Sequence, residues 1–316
     1  MNEIFDTIII GGGPAGLAAA KHLGFFKRNI LIIDRKVSPL YYLGNPVHNY
    51  PGVVRNLTGQ ALLRQMQGEA QAAGAKLIFA GVNSISGKFP NFKIETSELN
   101  GRNQTKVFAA RTILMATGAA VAHPKLDHDW KNWLHFASEP KACYYCFDCE
   151  APFMKDKSVL IISVGTINQA VYAAKTLSRF ASDVEILVTA DSYLPFKPED
   201  MANLKASGFR WSTGTIKSAQ FVAPGIKQSV VTHENKKINC NCFFVSTIRL
   251  PRSEVAKCIG VETNNHGAIL TNQQGQTNVE GIWAAGDVTP IARQITVAAG
   301  SGHNAGLMIN RALLEI

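Results

Sequence analysis

The sequence predicts an α/β protein built from two nucleotide-binding βαβ units, and three observations lead there. At 316 residues the chain is too long for one small core and about right for two domains of ordinary size. Over residues 4–34 an apolar strand, a glycine turn, a helix and a second strand follow one another. A second passage of the same kind lies about 150 residues further on, over 158–189, so the fold reads as a duplication. Apolar residues make up 46% of the chain and charged ones 17%, which suits a folded protein rather than a disordered one.

In the first unit, Ile4–Ile10 reads as a buried strand running into Gly11-Gly12-Gly13-Pro14-Ala15-Gly16. A helical run over 17–23 follows, then an apolar strand over 29–33 that closes on Asp34. This is GxGxxG between strand and helix, with an acid ending the second strand. Gly11 permits the tight turn, Gly13 lets the backbone approach a diphosphate, and Gly16 lets helix and strand pack closely. The helix start offers free N–H groups to the phosphates, and Asp34 can accept from a ribose diol.

Residues 57–74 are largely helical, with Thr58 near the start, and lead to a strand over 76–80. Several short strands are expected through Val107, then an apolar strand over 112–115 ending in Ala116-Thr117-Gly118-Ala119. The second unit has a strand at Ser158–Ser163, a helix over 168–180 and a strand over 184–189. The segment 281–288 leads into a closing helix.

The net charge of +9 is uneven: residues 1–118 hold 13 Lys+Arg against 6 Asp+Glu, a surplus of +7. Such a surface steers acidic partners. There is no polybasic run and no interleaving of aromatic and basic residues, so nucleic acid is not expected. The acidic start and the short apolar run behind it exclude an export signal, and no stretch approaches the roughly 20 apolar residues of a membrane span. The expected location is the cytoplasm.

Six cysteines occur, three as Cys143-x-x-Cys146-x-x-Cys149, so two overlapping CxxC pairs are possible. In a long cytosolic chain clustered cysteines point to redox chemistry or metal. A zinc site with Cys240 and Cys242 lacks regular ligand spacing across about 90 residues, and no metal is expected. Cys240, Cys242 and Cys258 read as ordinary core or surface residues, and Cys143 as an inert neighbour.

Taken together, GGGPAG at 11–16, ATGA at 116–119 and AAGDV at 284–288 resemble the two-dinucleotide-binding-domain flavoproteins. Within them, CFDCE at 146–150 looks like the C-x-x-C-D site of thioredoxin reductases, with Glu150 in place of the aspartate, and 292–306 matches that group's closing helix. The resemblance implies two Rossmann-like domains, the second inserted in the first: an FAD domain at 1–118 plus 247–316, and 119–246 between them. It places Gly11, Gly13, Pro14, Ala15, Gly16 and Asp34 on the ADP half of FAD. Gly118 ends the ATG strand, Asp287 sits by the ribityl chain, and Gln294 lies near the flavin ring. It pairs Cys146 with Cys149 and has Cys149 face the flavin. Cys146 attacks a thioredoxin-like or other disulfide substrate, with Glu150 as the acid that protonates the leaving thiolate. The family's Gly-Gly-Gln-Leu stretch is missing, replaced by Pro39-Leu40-Tyr41-Tyr42-Leu43-Gly44-Asn45.

The second glycine turn is also altered. It reads Ser163-Val164-Gly165-Thr166-Ile167-Asn168, and Thr189-Ala190-Asp191-Ser192 stands where the family's basic cluster for NADPH should follow. Side chains crowd the place of a pyrophosphate, although Asp191 suits the ribose diol of NADH. The expected donor is therefore an acidic ferredoxin-like protein, as in the ferredoxin-dependent members of this group, and the basic surplus fits it. Diflavin-linked relatives hold a second FAD, for which Tyr41-Tyr42 and Tyr144-Tyr145-Cys146-Phe147 offer stacking surfaces. A conventional NAD(P)H-dependent reductase remains the alternative. The reading is of a homodimeric FAD-dependent disulfide oxidoreductase with one FAD per chain, or two.

Overall fold

In a computed structural model that describes residues 3–99, 105–194 and 197–315, β1 (Ile4–Ile10) is the centre of the first sheet. It pairs in parallel with β2 (Ile30–Asp34) across α1 (Pro14–Phe25), with Ile10 opposite Ile33. Both faces are covered, so the strands are apolar almost throughout rather than alternating. α2 (Gly59–Ala72) begins at Thr58, whose hydroxyl accepts from the Ala61 amide, as the sequence suggested.

The stretch expected to hold several short strands instead holds three long ones: β3 (Lys76–Lys88), β4 (Asn91–Glu98) and β5 (Thr105–Met115). The start of β3 pairs in parallel with β2 and its remainder antiparallel with β4, which in turn pairs antiparallel with β5. β5 then runs back beside β1, placing Met115 opposite Ile10. The charged residues that broke the apolar pattern, such as Lys93, lie on the open face of β4, while Phe92, Ile94 and Thr96 are buried on the other.

The chain then passes through β6 (Ala119–Val121), α3 (Leu134–Ser138), β7 (Cys143–Tyr144) and the single turn α4 (Phe147–Glu150). A second unit follows: β8 (Ser158–Ser163), α5 (Ile167–Leu177), β9 (Asp183–Thr189), α6 (Pro198–Ala206) and β10 (Arg210–Gly214). An antiparallel excursion, β11 (Ile216–Ala223), β12 (Lys227–Thr232) and β13 (Lys237–Cys240), precedes β14 (Cys242–Ser246). The second sheet has the parallel order β10-β9-β8-β14-β7. Its first four strands repeat the order β3-β2-β1-β5 of the first sheet. This is the doubly wound arrangement, made twice.

β15 (Arg249–Pro251) returns antiparallel to β6, so the chain leaves and re-enters the first unit along one two-stranded ribbon. After α7 (Glu254–Lys257), β16 (Ile282–Ala284) adds to β5, and α8 (Ile295–Ala312) packs on α1 closely enough that a Cβ at Gly302 would stand 2.0 Å from the Ala15 carbonyl oxygen. The molecule is thus an α/β protein of two Rossmann-like domains. No described helix is long and apolar enough to cross a membrane.

Candidate functional site

The glycine turn after β1 is shaped by contact and by openness. Gly11 has φ 117°, and a Cβ there would stand 2.1 Å from the Ala116 carbonyl oxygen. A Cβ on Gly16 would meet the Gly11 oxygen at 2.0 Å, whereas one on Gly13 would meet nothing within 4 Å. Gly13 is also the residue before α1 and supplies no side-chain cap, so the first amides of that helix are left for a ligand. They face a cavity of about 490 Å³ lined by Gly11, Gly13, Pro14, Ala15, Asp34, Gly118, Asp287 and Gln294. Gly16 lies behind the turn and does not line it. Asp34 is 4% exposed, and its carboxylate accepts a 2.7 Å hydrogen bond from Tyr41, whose hydroxyl accepts in turn from Gln67. Tyr41 belongs to the stretch that replaces the family's pattern.

Cys146, Cys149 and Glu150 line the same cavity. The structure joins Cys146 to Cys149 by a disulfide, leaving Cys143, Cys240, Cys242 and Cys258 free. Cys146 precedes α4, and its sulfur accepts from the Cys149 amide at 3.2 Å. The Cys149 sulfur lies 3.3 Å from Gln294 Oε1 and 3.2 Å from Asn49 Nδ2, while Gln294 and Asn49 bond to each other. The disulfide therefore rests on the start of α8. The sequence had singled out Gln294 for the flavin ring; here it touches the disulfide.

Glu150 accepts from the amides of Tyr145 and Cys146 at 2.9 and 3.0 Å, and from Asn45 at 2.8 Å. Burial pushes its pKa up, against the pull of those donors. Asn45, which the sequence did not mark, also donates to the Cys143 carbonyl and accepts from the Lys141 amide, tying the 39–45 stretch to the cysteine loop. Burial pushes the Cys143 thiol well up, consistent with an inert neighbour. Cys240 and Cys242 are buried and Cys258 is exposed. Among the described residues the one group able to share a metal ion is Asp127, His128 and His233, all exposed and none a cysteine.

Of the aromatic residues offered as stacking surfaces, Tyr41, Tyr42 and Phe147 are half-buried, and Tyr145 and Phe147 line the cavity. Tyr144 and Tyr145 are buried, and the Tyr145 hydroxyl accepts from Trp133 at 3.0 Å and lies 2.8 Å from His123 Nδ1. Tyr42 approaches the other nitrogen of His123, whose burial lowers its pKa to about 4. Tyr144 and Tyr145 belong to the two core clusters of the second sheet, where a polar tip with a partner is favourable.

The second glycine turn has a different fate from the first. Thr166 caps α5 and accepts from the Gln169 amide, while the Gln169 side chain accepts from the Thr166 amide. The amides of Val164 and Gly165 both donate to the Ser246 carbonyl. Ser192 bonds back to the Val164 and Gly165 carbonyls, and Asn168 donates to Asp200 at 2.7 Å. Asp191, the acid suited to a ribose, lies 3.5 Å from His128.

Arg249 and Arg252 also line the cavity and were missed. Their signal was present: two basic residues framing Leu250-Pro251 in an apolar crossing strand.

The residues fit FAD. The uncapped helix start suits a diphosphate, the buried Asp34 suits a ribose, and the cavity reaches from them to the disulfide. Residues 5–302 match the family model described as pyridine nucleotide-disulphide oxidoreductase. Thioredoxin reductase of Peptoclostridium acidaminophilum is 30% identical, with 96% of this chain and 95% of that protein aligned. That of Bacillus subtilis is also 30% identical, over 99% and 96%. The crystal structure of thioredoxin reductase from Streptococcus pyogenes superposes with a TM-score of 0.81 at 23% identity, covering 100% of both chains. The chain belongs to the pyridine nucleotide-disulphide oxidoreductase family and is a flavin-dependent disulfide oxidoreductase of the thioredoxin reductase-like kind.

Proposed function

We propose that this enzyme takes electrons from an acidic ferredoxin-like protein rather than a nicotinamide and delivers them to a thioredoxin-like disulfide. The observation that carries the proposal is the capped start of α5, where Thr166, Gln169 and the Ser246 carbonyl engage the amides of Val164, Gly165, Thr166 and Gln169 and leave fewer for a pyrophosphate than α1 does. The +7 surplus of residues 1–118 supports an acidic donor. The relatives' name, thioredoxin reductase, supports the class of substrate. In this reading 1–118 with 247–316 binds a single FAD and 119–246 carries the disulfide. A single FAD agrees with the burial of Tyr144 and Tyr145. A redox-active disulfide suits the reducing cytoplasm.

FAD held by the glycine turn and Asp34 would supply the electron pair needed to open the Cys146–Cys149 bond. Gln294 and Asn49 hold Cys149 against the cavity, on the side from which the pair arrives. That pair, taken from the donor one electron at a time, and two protons convert the disulfide into two thiols. The Cys146 thiolate then attacks the substrate disulfide, forming a mixed disulfide and releasing one substrate thiolate. Glu150, whose burial keeps a proton available at higher pH than an ordinary carboxyl, protonates that leaving thiolate. Cys149 attacks the Cys146 sulfur, releases the second substrate thiol and restores the bridge.

The test is anaerobic mixing of the yellow protein with reduced ferredoxin, followed by thiol counting. Two new thiols per chain are expected, and none in Cys146→Ser/Cys149→Ser. If ferredoxin bleaches the flavin without new thiols, the route through the disulfide is wrong.

A further inference from the structure

The pocket contains a cation that the protein itself leaves unsatisfied. Arg249 begins β15, on the ribbon through which the chain re-enters the first domain. Its guanidinium carries five N–H donors. Among the described residues it makes no side-chain hydrogen bond and no ion pair. The side chain is surrounded by protein except where it lines the cavity, and this burial pushes its pKa down. Isolating a charge in this way costs several kcal/mol unless something compensates it. Two carboxylates, Asp287 and Glu150, act on it from beyond ion-pair reach, and Asp287 is shared with Arg293.

Its place in the cavity separates two parts of a dinucleotide. Arg252, three residues on, lies at the end where Asp34 acts on it, and donates to the Val37 carbonyl. Tyr42 acts on both arginines, but Arg249 also acts on Asp287, Tyr145 and Glu150, and the last two directly precede Cys146 and follow Cys149. These partners put Arg249 beside the disulfide residues of the cavity. There the part of FAD that must stand near Cys149 is the flavin ring. The ring's oxygens and nitrogens accept hydrogen bonds, and it gains negative charge when reduced.

We propose that Arg249 is an electrostatic positioning residue for the flavin ring, favouring the negatively charged reduced form and so raising the flavin's midpoint potential. The juxtaposition behind this is an unpartnered guanidinium at the disulfide end of the FAD cavity. It rests on FAD occupying that cavity, which the flavin content of the wild-type protein checks separately.

The experiment is spectroelectrochemical titration of the bound flavin in wild type, Arg249→Gln and Arg249→Lys, with FAD affinity measured on the oxidised proteins. Removing the charge is expected to weaken binding of reduced relative to oxidised flavin at least tenfold, which lowers the potential by about 30 mV or more for a two-electron couple. Arg249→Lys, which keeps the charge, is expected to lie closer to wild type than Arg249→Gln does. An unchanged potential in Arg249→Gln overturns the proposal, as does an equal loss of affinity for both redox states, which would assign the residue to the diphosphate. A wild-type measurement covers the case in which Arg249→Gln fails to hold flavin. If the reduced ring is held negative, two electrons enter with one proton, and the potential falls by about 30 mV per pH unit from pH 6 to 8. A fall of about 60 mV per unit across that range, two protons for two electrons, overturns the proposal.

Discussion

The two helices that follow the first strands of the two Rossmann-like domains start in opposite ways. Before α1 stands Gly13, which offers no side chain, opens on the cavity and leaves the helix amides for a ligand. Before α5 stands Thr166, which closes a reciprocal box with Gln169. The backbone path is the same kind of strand, turn and helix. What differs is which groups satisfy the amides at the helix start, and that decides whether a nucleotide is needed there. One helix start has no side-chain cap, while the other is capped from its own sequence.

The sharpest way to break this contrast is to fill the open end. Gly13→Asp has room for its Cβ but places a carboxylate where the diphosphate belongs. FAD affinity is expected to fall by about a hundredfold or more, roughly 2.7 kcal/mol, while the apoprotein stays folded. Flavin retention after gel filtration and circular dichroism check this. Gly16→Val serves as the contrasting case, since its side chain collides with the Gly11 carbonyl and the fold itself should suffer.

Glu150→Gln comes next. The two backbone amides still find an acceptor, but the amide side chain then opposes the Asn45 NH₂, which is already committed to the Cys143 carbonyl. Disulfide exchange is expected to slow by roughly 10²-fold, the scale of a lost general acid. The pH profile gives the sign. A raised pKa means that the protonated form supplies stability and a usable proton at low pH, and both fade as pH rises through the folded-state value. The wild-type exchange rate should therefore fall along that limb, and Glu150→Gln should lack it. An unchanged profile in Glu150→Gln would place the proton donor elsewhere.

Opening the closed end is expected to do less. Thr166→Ala removes the cap and should cost about 1 kcal/mol of unfolding free energy, leaving flavin content intact. It should not create nucleotide binding, because Ser246, Ser192 and Asn168 still hold the turn. The smallest effect belongs to Cys143→Ala. Its thiol is buried behind the loop, so exchange should change little, and thiol titration of the oxidised native protein should find Cys258 alone reacting readily.

Local patterns made the first unit legible, because GxGxxG carries its reasons in residue types that only one geometry uses. The loss of the second turn was legible as missing glycines, although not as the self-made cap that replaced them. The long strands β3 and β5 were hidden because each changes partners midway, and no local window reports a change of partner. Asn45 and Asn49 act across about 100 residues and Arg249 reaches as far back as Tyr42 and Tyr145, and a lone asparagine or arginine has no periodic signature. The partners of the aromatic residues were hidden for a related reason. A tyrosine that will stack on a ligand and one that will bond to His123 read alike in sequence.

The most direct test of the contrast is stopped-flow mixing of the anaerobic FAD protein with millimolar NADPH, and separately NADH, following flavin absorbance. The closed start of α5 is expected to leave the flavin oxidised with both, while reduced ferredoxin bleaches it in the same buffer. Rapid bleaching by either nicotinamide would contradict the account and make this a conventional pyridine nucleotide-dependent reductase.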